Sequence, residues 1–130
     1  MFNKDLTIFS SYIEDGEDKY IKTLLPKSCF IDSTEIVNTN ANGMEDANTI
    51  LVLLPKSNCS KYLSPKQFKE SENKEEHFTL QKGDKIVKGL VEKEYTSMVD
   101  LMKEQDNVYT ITAVDDRDYG TVQHFEIAGK

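Results

Sequence analysis

Hydrophobic and polar positions alternate over short stretches of this 130-residue chain, a pattern that is typical of β-strands. The clearest alternation covers residues 108–114, and residues 6–13 are rich in the β-branched and aromatic side chains that strands favour. Residues 20–25 and 28–38 predict two more strands, separated by Pro26, which lacks the backbone N–H that a strand interior uses. The pattern therefore predicts a mainly β protein.

The most apolar segment is 49–54, Thr-Ile-Leu-Val-Leu-Leu, and Pro55 follows it. An unbroken apolar run predicts a strand that is covered on both faces, so we expect this strand at the centre of a sheet. The polar residues before it, 39–48, predict a loop. That loop is long beside the usual connection of about 4–6 residues.

A short helix is predicted to begin after Ser64. Ser64 can act as the N-cap, Pro65 suits the first helical position, and Gln67 completes a capping box. The helix is expected to be short because residues 69–76 contain no apolar side chain. We interpret that charged stretch as a solvated loop.

A second short helix is predicted after Ser97, which can cap it. Its apolar stripe consists of Met98, Leu101 and Met102, at spacings of three and four residues. We expect this stripe to face the core and the helix to end before Asn107.

Gly83 and Asp84 predict the turn of a β-hairpin between residues 78–80 and residues 85–89. Gly83 supplies the positive φ that tight hairpin turns require. Residues 90–94 predict a continuation of the second strand.

A second hairpin is predicted near the end of the chain, where residues 115–120 form an acidic turn between the strands 108–114 and 121–127. Seven or eight strands with one or two short helices predict a small antiparallel β-barrel or sandwich. A chain of this length predicts a single domain over residues 1–130.

The negative net charge argues against a protein that binds nucleic acid tightly. Lys and Arg number 16 against 23 Asp and Glu, which gives −7, and Arg117 is the only arginine. The excess lies at the two ends, with −3 over residues 1–19 and −4 over residues 95–130. If the two ends meet in the fold, one face is strongly acidic, although a solvated surface explains the charge equally well.

No apolar run approaches the about 18 residues that a membrane span needs. The first residues also lack a basic region followed by an apolar stretch, so we expect neither a membrane segment nor a signal peptide.

No catalytic motif stands out, and we expect no enzymatic activity, no cofactor and no metal site. His77 lies beside the charged stretch, and His124 lies within a predicted strand without an acidic partner. Cys29 and Cys59 have no metal-binding spacing and are expected to be reduced and partly buried. The acidic run 115–118 lacks the spacing of a calcium loop, so turn formation explains it better.

Residues 62–130 contain a set of short segments that carry a family resemblance. These are Thr79–Asp84, Ile86–Gly89, Glu92, Thr96, Ser97, Val108, Ile111, Thr112, Val114–Arg117, His124, Phe125, Gly129 and Lys130. In these segments the chain resembles a family of small bacteriophage and prophage structural proteins. Members of that family commonly have tryptophan where this chain has Phe78 and Phe125, a change that keeps an aromatic side chain.

The resemblance implies a structural subunit of the head–tail junction, six or twelve copies of which form a ring between the portal and the tail. Such a protein would be assembled in the bacterial cytoplasm and carried in the virion or a phage-like particle. An acidic lumen would let DNA pass without binding it. The candidate subunit-contact residues are Asn40, Asn42, Gly43, Glu72, Lys74 and Glu75.

Two alternatives stay open. A tail terminator or collar component is a close variant of the same structural role. A small β-barrel that recognises a peptide or small ligand through its loops belongs to a different class.

Overall fold

The computed structural model describes residues 3–40, 43–117 and 123–130, with the backbone alone over 34–48. Within these residues, six strands form a mainly β domain with two short helices. In chain order the elements are β1 (Lys4–Glu14), β2 (Glu17–Asn40), β3 (Gly43–Pro55), α1 (Pro65–Glu70), β4 (Lys85–Lys88), α2 (Met98–Glu104), β5 (Val108–Arg117) and β6 (His124–Gly129).

The strands close into an antiparallel barrel in the order β1-β2-β3-β6-β5-β4, with β4 pairing back onto β1. This confirms the predicted mainly β fold and selects the barrel over the sandwich. Closure follows from the pairing of short β4 with both β1 and β5, which removes the free edges of the sheet.

β1 and β2 are joined by a two-residue turn at Asp15 and Gly16. Their φ values of 54° and 79° are both positive, as a type I′ hairpin turn requires. The pairing therefore extends to Glu14 and Glu17, and only these two turn residues connect the strands.

β2 is one long strand and not the two predicted on either side of Pro26. The chain bulges at this point, since Leu6 pairs with Leu25 and Lys4 with Cys29, with a shift of register between them. The bulge accommodates the missing N–H of proline, and the next residue, Lys27, has a φ of 48°. Beyond the bulge, β2 leaves β1 and pairs with β3.

The barrel interior is filled by apolar side chains. The main cluster draws on all six strands and on the segments 59–62 and 78–80. Its fully covered members include Leu6, Ile8, Val52 and Leu54.

A second, smaller cluster lies outside the barrel, where residues 91–95 and α2 cover the outer face of β1. Phe9 packs there edge-on against Tyr95, with ring centroids 6.5 Å apart, and Leu101 of α2 is fully buried beside them. β1 is therefore covered on both faces, and Val87 of the neighbouring β4 is buried by the same outer cluster.

The apolar run 49–54 is covered on one face only, contrary to the prediction. Ile50 and Val52 face the core, whereas Leu51 between them is 40% exposed. β3 does lie between two neighbours, β2 and β6. Side chains in a barrel wall alternate between inside and outside, and nothing in the described chain covers this part of the outer face completely.

The first predicted hairpin is wrong in its pairing. Residues 78–80 form no ladder with β4, because β4 uses both edges to pair with β1 and β5. Phe78 makes only an isolated bridge to Tyr62, and Leu80 is buried in the core. Residues 90–94 are also not a strand; Val91 donates its backbone N–H to the Thr7 hydroxyl at 3.0 Å.

The second predicted hairpin is confirmed, since β5 and β6 pair in antiparallel fashion. Its acidic turn is shorter than expected, because residues 115–117 belong to β5 and continue its pairing with β6. Residues 118–122, the rest of that turn and the predicted start of the last strand, lie outside the described residues.

Both helices begin where predicted. The Ser64 hydroxyl accepts the backbone N–H of Gln67, and the Gln67 side chain accepts that of Ser64, which completes the capping box of α1. In α2 the apolar stripe is only partly correct, because Leu101 is buried but Met102 is 54% exposed. Ser97 occupies the N-cap position without a side-chain hydrogen bond.

In the described residues, no helix has both the length and the apolar character needed to cross a membrane.

Candidate interaction surfaces

The region predicted as a loop over residues 39–48 is instead the outer part of a β-hairpin. β2 and β3 keep pairing beyond the barrel, from Thr34 opposite Thr49 to Asn40 opposite Gly43. The prediction failed because backbone hydrogen bonds hold this ladder, and a ladder outside the core needs no hydrophobic alternation.

We call residues 34–49 the β-arm. It contains seven residue pairs, at roughly 3.3 Å for each, and so extends about 23 Å from the barrel wall. Along the arm β2 has left β1, and β3 has not yet reached β6, whose pairing begins at Ile50. Both outer edges of the arm therefore lack a partner strand among the described residues.

Strand directions place the arm at one end of the barrel. β1 and β5 run the same way, because each is antiparallel to β4, and β2 runs against both. The arm lies where β1 begins. The β1–β2 turn and the end of β5 lie at the other end, which we call the turn end.

The turn end collects acidic residues from both acidic parts of the sequence. Lys19 lies 3.3 Å from Glu17 in the β1–β2 hairpin. At the end of β5, Asp116 pairs with Lys56 at 2.5 Å, and Arg117 lies 3.2 Å from Glu126. The acidity around β5 is therefore partly neutralised locally. The acidic residues of the β1–β2 hairpin are Glu14, Asp15, Glu17 and Asp18.

A groove of about 520 Å³ lies beside the turn end, between the last residues of β1 and the helix α1. Its apolar wall is built on Tyr12, whose ring stands edge-on to buried Phe68 at 6.3 Å between centroids. The Lys74 ammonium lies 5.3 Å from the centre of the Tyr12 ring. The lining residues are Ser11, Tyr12, Ile13, Asp18, Pro65, Lys66, Phe68, Lys69, Lys74 and Gln81.

A buried carboxylate anchors one wall of this groove. Asp84 is 5% exposed and accepts hydrogen bonds from the backbone N–H of Ser11 at 3.2 Å, the Ser11 hydroxyl, and the Gln81 side chain at 3.0 Å. Burial raises the pKa of the Asp84 carboxyl above its usual range, although these hydrogen bonds pull the pKa down. Sequence reasoning missed this anchor because its partner Ser11 lies 73 residues away in the sequence.

Gly83 and Asp84, predicted as a hairpin turn, do form a turn. Gly83 has a φ of 98°, and the Asp84 N–H donates to the Gln81 carbonyl at 3.2 Å. The turn leads residues 78–80 out of the core and into β4, and the side chain of Asp84 then joins that turn to β1.

The candidate subunit-contact residues fall into two groups. Asn40 and Gly43 face each other at the end of the described β-arm, and Asn42 lies outside the described residues. Glu72 and Glu75 are exposed.

Lys74 is not a free arm residue, because its ammonium donates to the Ser71 carbonyl at 2.7 Å as well as contacting Tyr12. The charged stretch 69–76 is folded and is not a loop throughout: it contains the end of α1 and a 3-10 turn over Lys74–Glu76.

The residues considered for chemistry have local structural partners. His77 Nδ1 lies 3.1 Å from the Asn73 carbonyl, and His124 Nε2 lies 3.4 Å from the Glu126 carboxylate. Cys29 and Cys59 are buried free thiols, and burial raises the pKa of each to about 11, so both are protonated at pH 7. Among the described residues no group of three or more His, Cys, Asp or Glu is placed to hold a metal ion.

The fold and these surfaces define a small closed β-barrel protein that carries a projecting two-stranded arm and a lateral groove. The chain belongs to a family of unknown function, DUF6751, whose match spans residues 1–130. Comparison with curated proteins and with solved structures found no match.

Proposed function

We propose that this protein is a structural subunit of a bacteriophage or phage-like particle, acting as a head-completion or head–tail connector subunit in an oligomeric ring. The observation that carries the proposal is the β-arm, which extends about 23 Å beyond a barrel that is already closed. The resemblance of residues 62–130 to small phage structural proteins points to the same role.

The arm makes most sense as a contact with another protein. A two-stranded hairpin alone in water is marginally stable, because it buries little surface and exposes its backbone groups along both edges. The barrel needs no such extension, since its strands close without it. Docking on a neighbour would cover the arm and repay the cost of ordering it.

The barrel itself offers little room for chemistry. Its interior is filled by a continuous cluster of buried side chains, including Leu6, Ile8 and Ile127 at its centre. A packed barrel of this kind acts as a rigid support, and recognition falls to its outer surface and extensions. A structural role fits that division.

The charge of −7 suits a ring that surrounds DNA without holding it. If the acidic β1–β2 turn lines the lumen, it repels phosphates and lets the genome slide. A tail terminator or collar subunit would use the same arm, and only the identity of the neighbouring protein separates these positions.

The alternative from another class is a barrel that binds a peptide or small ligand. The lateral groove of about 520 Å³, with Tyr12 and Phe68 in its wall, is the observation in its favour. Such a module works as a monomer, so the oligomeric state discriminates between the two functions.

Mass photometry of the full chain, alone and mixed with purified phage portal and tail proteins, tests the proposal. We expect particles of six or twelve copies, seen as rings in negative stain. A chain that stays at 14.9 kDa under all these conditions contradicts it.

A further inference from the structure

The lateral groove combines an exposed apolar surface with several cations. Ile13 is 75% exposed at its edge, next to Tyr12. Lys66, Lys69 and Lys74 also line it. An apolar strip with lysines beside it suits a partner segment that carries both apolar and acidic side chains.

The cations of the groove stand out on an acidic protein. Asp18 is the one acidic residue in the lining, so the groove carries +2 on a chain of −7. Lys66 and Lys69 are exposed, and in the described part of the chain neither makes an ion pair. Two lysine charges are therefore available to an incoming partner.

We propose that this groove is the docking site for the β-arm of a second copy of the chain. The arm is complementary to the groove in charge, since residues 34–48 contain no Lys, Arg or His and carry a net charge of −3. The inference rests on the ring-forming function proposed above. The acidic and larger apolar residues of the arm are Glu35, Glu45, Asp46, Ile36, Val37 and Met44.

The topology makes the contact intermolecular. Tyr12 in the groove pairs with Lys19 on β2, and the arm begins 15 residues further along that strand, at Thr34. The arm thus leaves the barrel at the end where β1 begins, whereas the groove lies where β1 finishes. A paired hairpin that points away from its own groove reaches the groove of a neighbour.

A contact between two different surfaces of identical subunits is head-to-tail. Such contacts close into a ring when the rotation between neighbours divides a full turn. Each subunit then donates one arm and accepts one, so every arm and every groove in the ring is covered.

A charge-swap experiment tests this contact. The groove variant carries Lys66→Glu and Lys69→Glu, and the arm variant carries Glu45→Lys and Asp46→Lys. Sedimentation velocity at low ionic strength, where surface charges act most strongly, measures assembly of the wild type, of each variant alone, and of an equimolar mixture.

Each variant alone places like charges in contact, so we expect at least a tenfold weaker assembly than for the wild type. In the mixture, the basic arm of the arm variant meets the acidic groove of the groove variant. The acidic arm of the groove variant meets the basic groove of the arm variant. We therefore expect the mixture to recover assemblies in which the two variants alternate.

A matched control carries Lys4→Glu and Lys103→Glu. Both of these lysines are exposed and lie outside the groove. The control changes the net charge as much as the groove variant does, and we expect it to assemble like the wild type. Circular dichroism of all the variants verifies that each is folded.

The possible outcomes distinguish the docking of the arm in the groove from the formation of a ring. If the wild type forms rings and the groove variant forms them equally well, the groove inference is wrong and the ring stands. If the wild type forms dimers or open chains that the groove variant loses, but never rings of six or twelve copies, the contact stands and the ring is wrong. If nothing associates, both fail. If the groove variant assembles normally but no longer binds a portal or tail protein, the groove serves that protein and the inference is wrong.

Discussion

Replacing Asp84 by alanine tests how firmly the turn at residues 81–84 is joined to β1. The substitution removes the acceptor of three hydrogen bonds, two from Ser11 and one from Gln81. It leaves the local turn intact, because Gly83 and the backbone of residue 84 still form it. Stability therefore reports on the hydrogen bonds of the Asp84 side chain, two of which join the turn to Ser11 of β1.

The expected loss is about 3 kcal/mol of the free energy of unfolding. A hydrogen bond to a charged group is worth roughly 1.5–3 kcal/mol. Three such bonds exceed 3 kcal/mol, but removing a buried carboxylate also relieves its desolvation, and the half-buried Ser11 and Gln81 can bond to water instead. Urea unfolding followed by circular dichroism measures the difference.

Asp106→Ala is the matched control, since Asp106 is exposed and we expect a change within about 0.5 kcal/mol. An Asp84→Ala variant as stable as this control would refute the role of Asp84 as an anchor.

The raised pKa of Asp84 also predicts that stability depends on pH. Because the folded pKa of Asp84 is raised, the folded state binds the proton more tightly, and stability falls as pH rises from about 3.8 through the raised pKa. In Asp84→Asn this part of the pH dependence disappears.

Three further outcomes are expected. Gly83→Ala costs about 1 kcal/mol in urea unfolding, because φ is 98° although no atom lies within 4 Å of the added Cβ. Cys29 and Cys59, with pKa values of about 11, react with a thiol reagent at pH 8 only after unfolding; rapid reaction of the native protein contradicts their burial. Val37→Pro, which breaks the pairing with Asp46 in the β-arm, weakens assembly at least tenfold in sedimentation while the melting temperature changes by less than about 2 °C, since the arm lies beyond the β1–β2 and β3–β6 pairings of the barrel. Equal assembly of this variant would show that the arm makes no contact.

Sequence patterns predicted the elements whose formation depends on residues close together in the chain. Alternation identified β1 and β5, and the Ser64–Gln67 capping box located the start of α1, because these patterns depend on neighbours in sequence. The β5–β6 hairpin followed from two adjacent strands.

The same patterns did not predict contacts between residues that lie far apart in the sequence. The burial of both faces of β1 depends on residues 91–104, which follow Phe9 of β1 by more than 80 positions. The partners of β4 are strands β1 and β5 and not the neighbouring residues 78–80, so loop length and turn chemistry misled the assignment. Closure of the barrel is a property of the whole sheet.

The candidate surfaces were the hardest to predict. Asn40 and Gly43 belong to a polar sequence that indicated a loop, whereas the backbone there forms a ladder. The groove brings the end of β1 against α1 and Lys74, three segments with no shared motif. No sequence pattern predicts that these three segments come together.

The mass of the assembled particle is the most direct test of the proposed function. Native mass spectrometry of the full chain, alone and mixed with purified phage portal and tail proteins, should give a species of six or twelve subunits of 14.9 kDa each. A single species at 14.9 kDa in every mixture would contradict the proposal that this protein forms a ring.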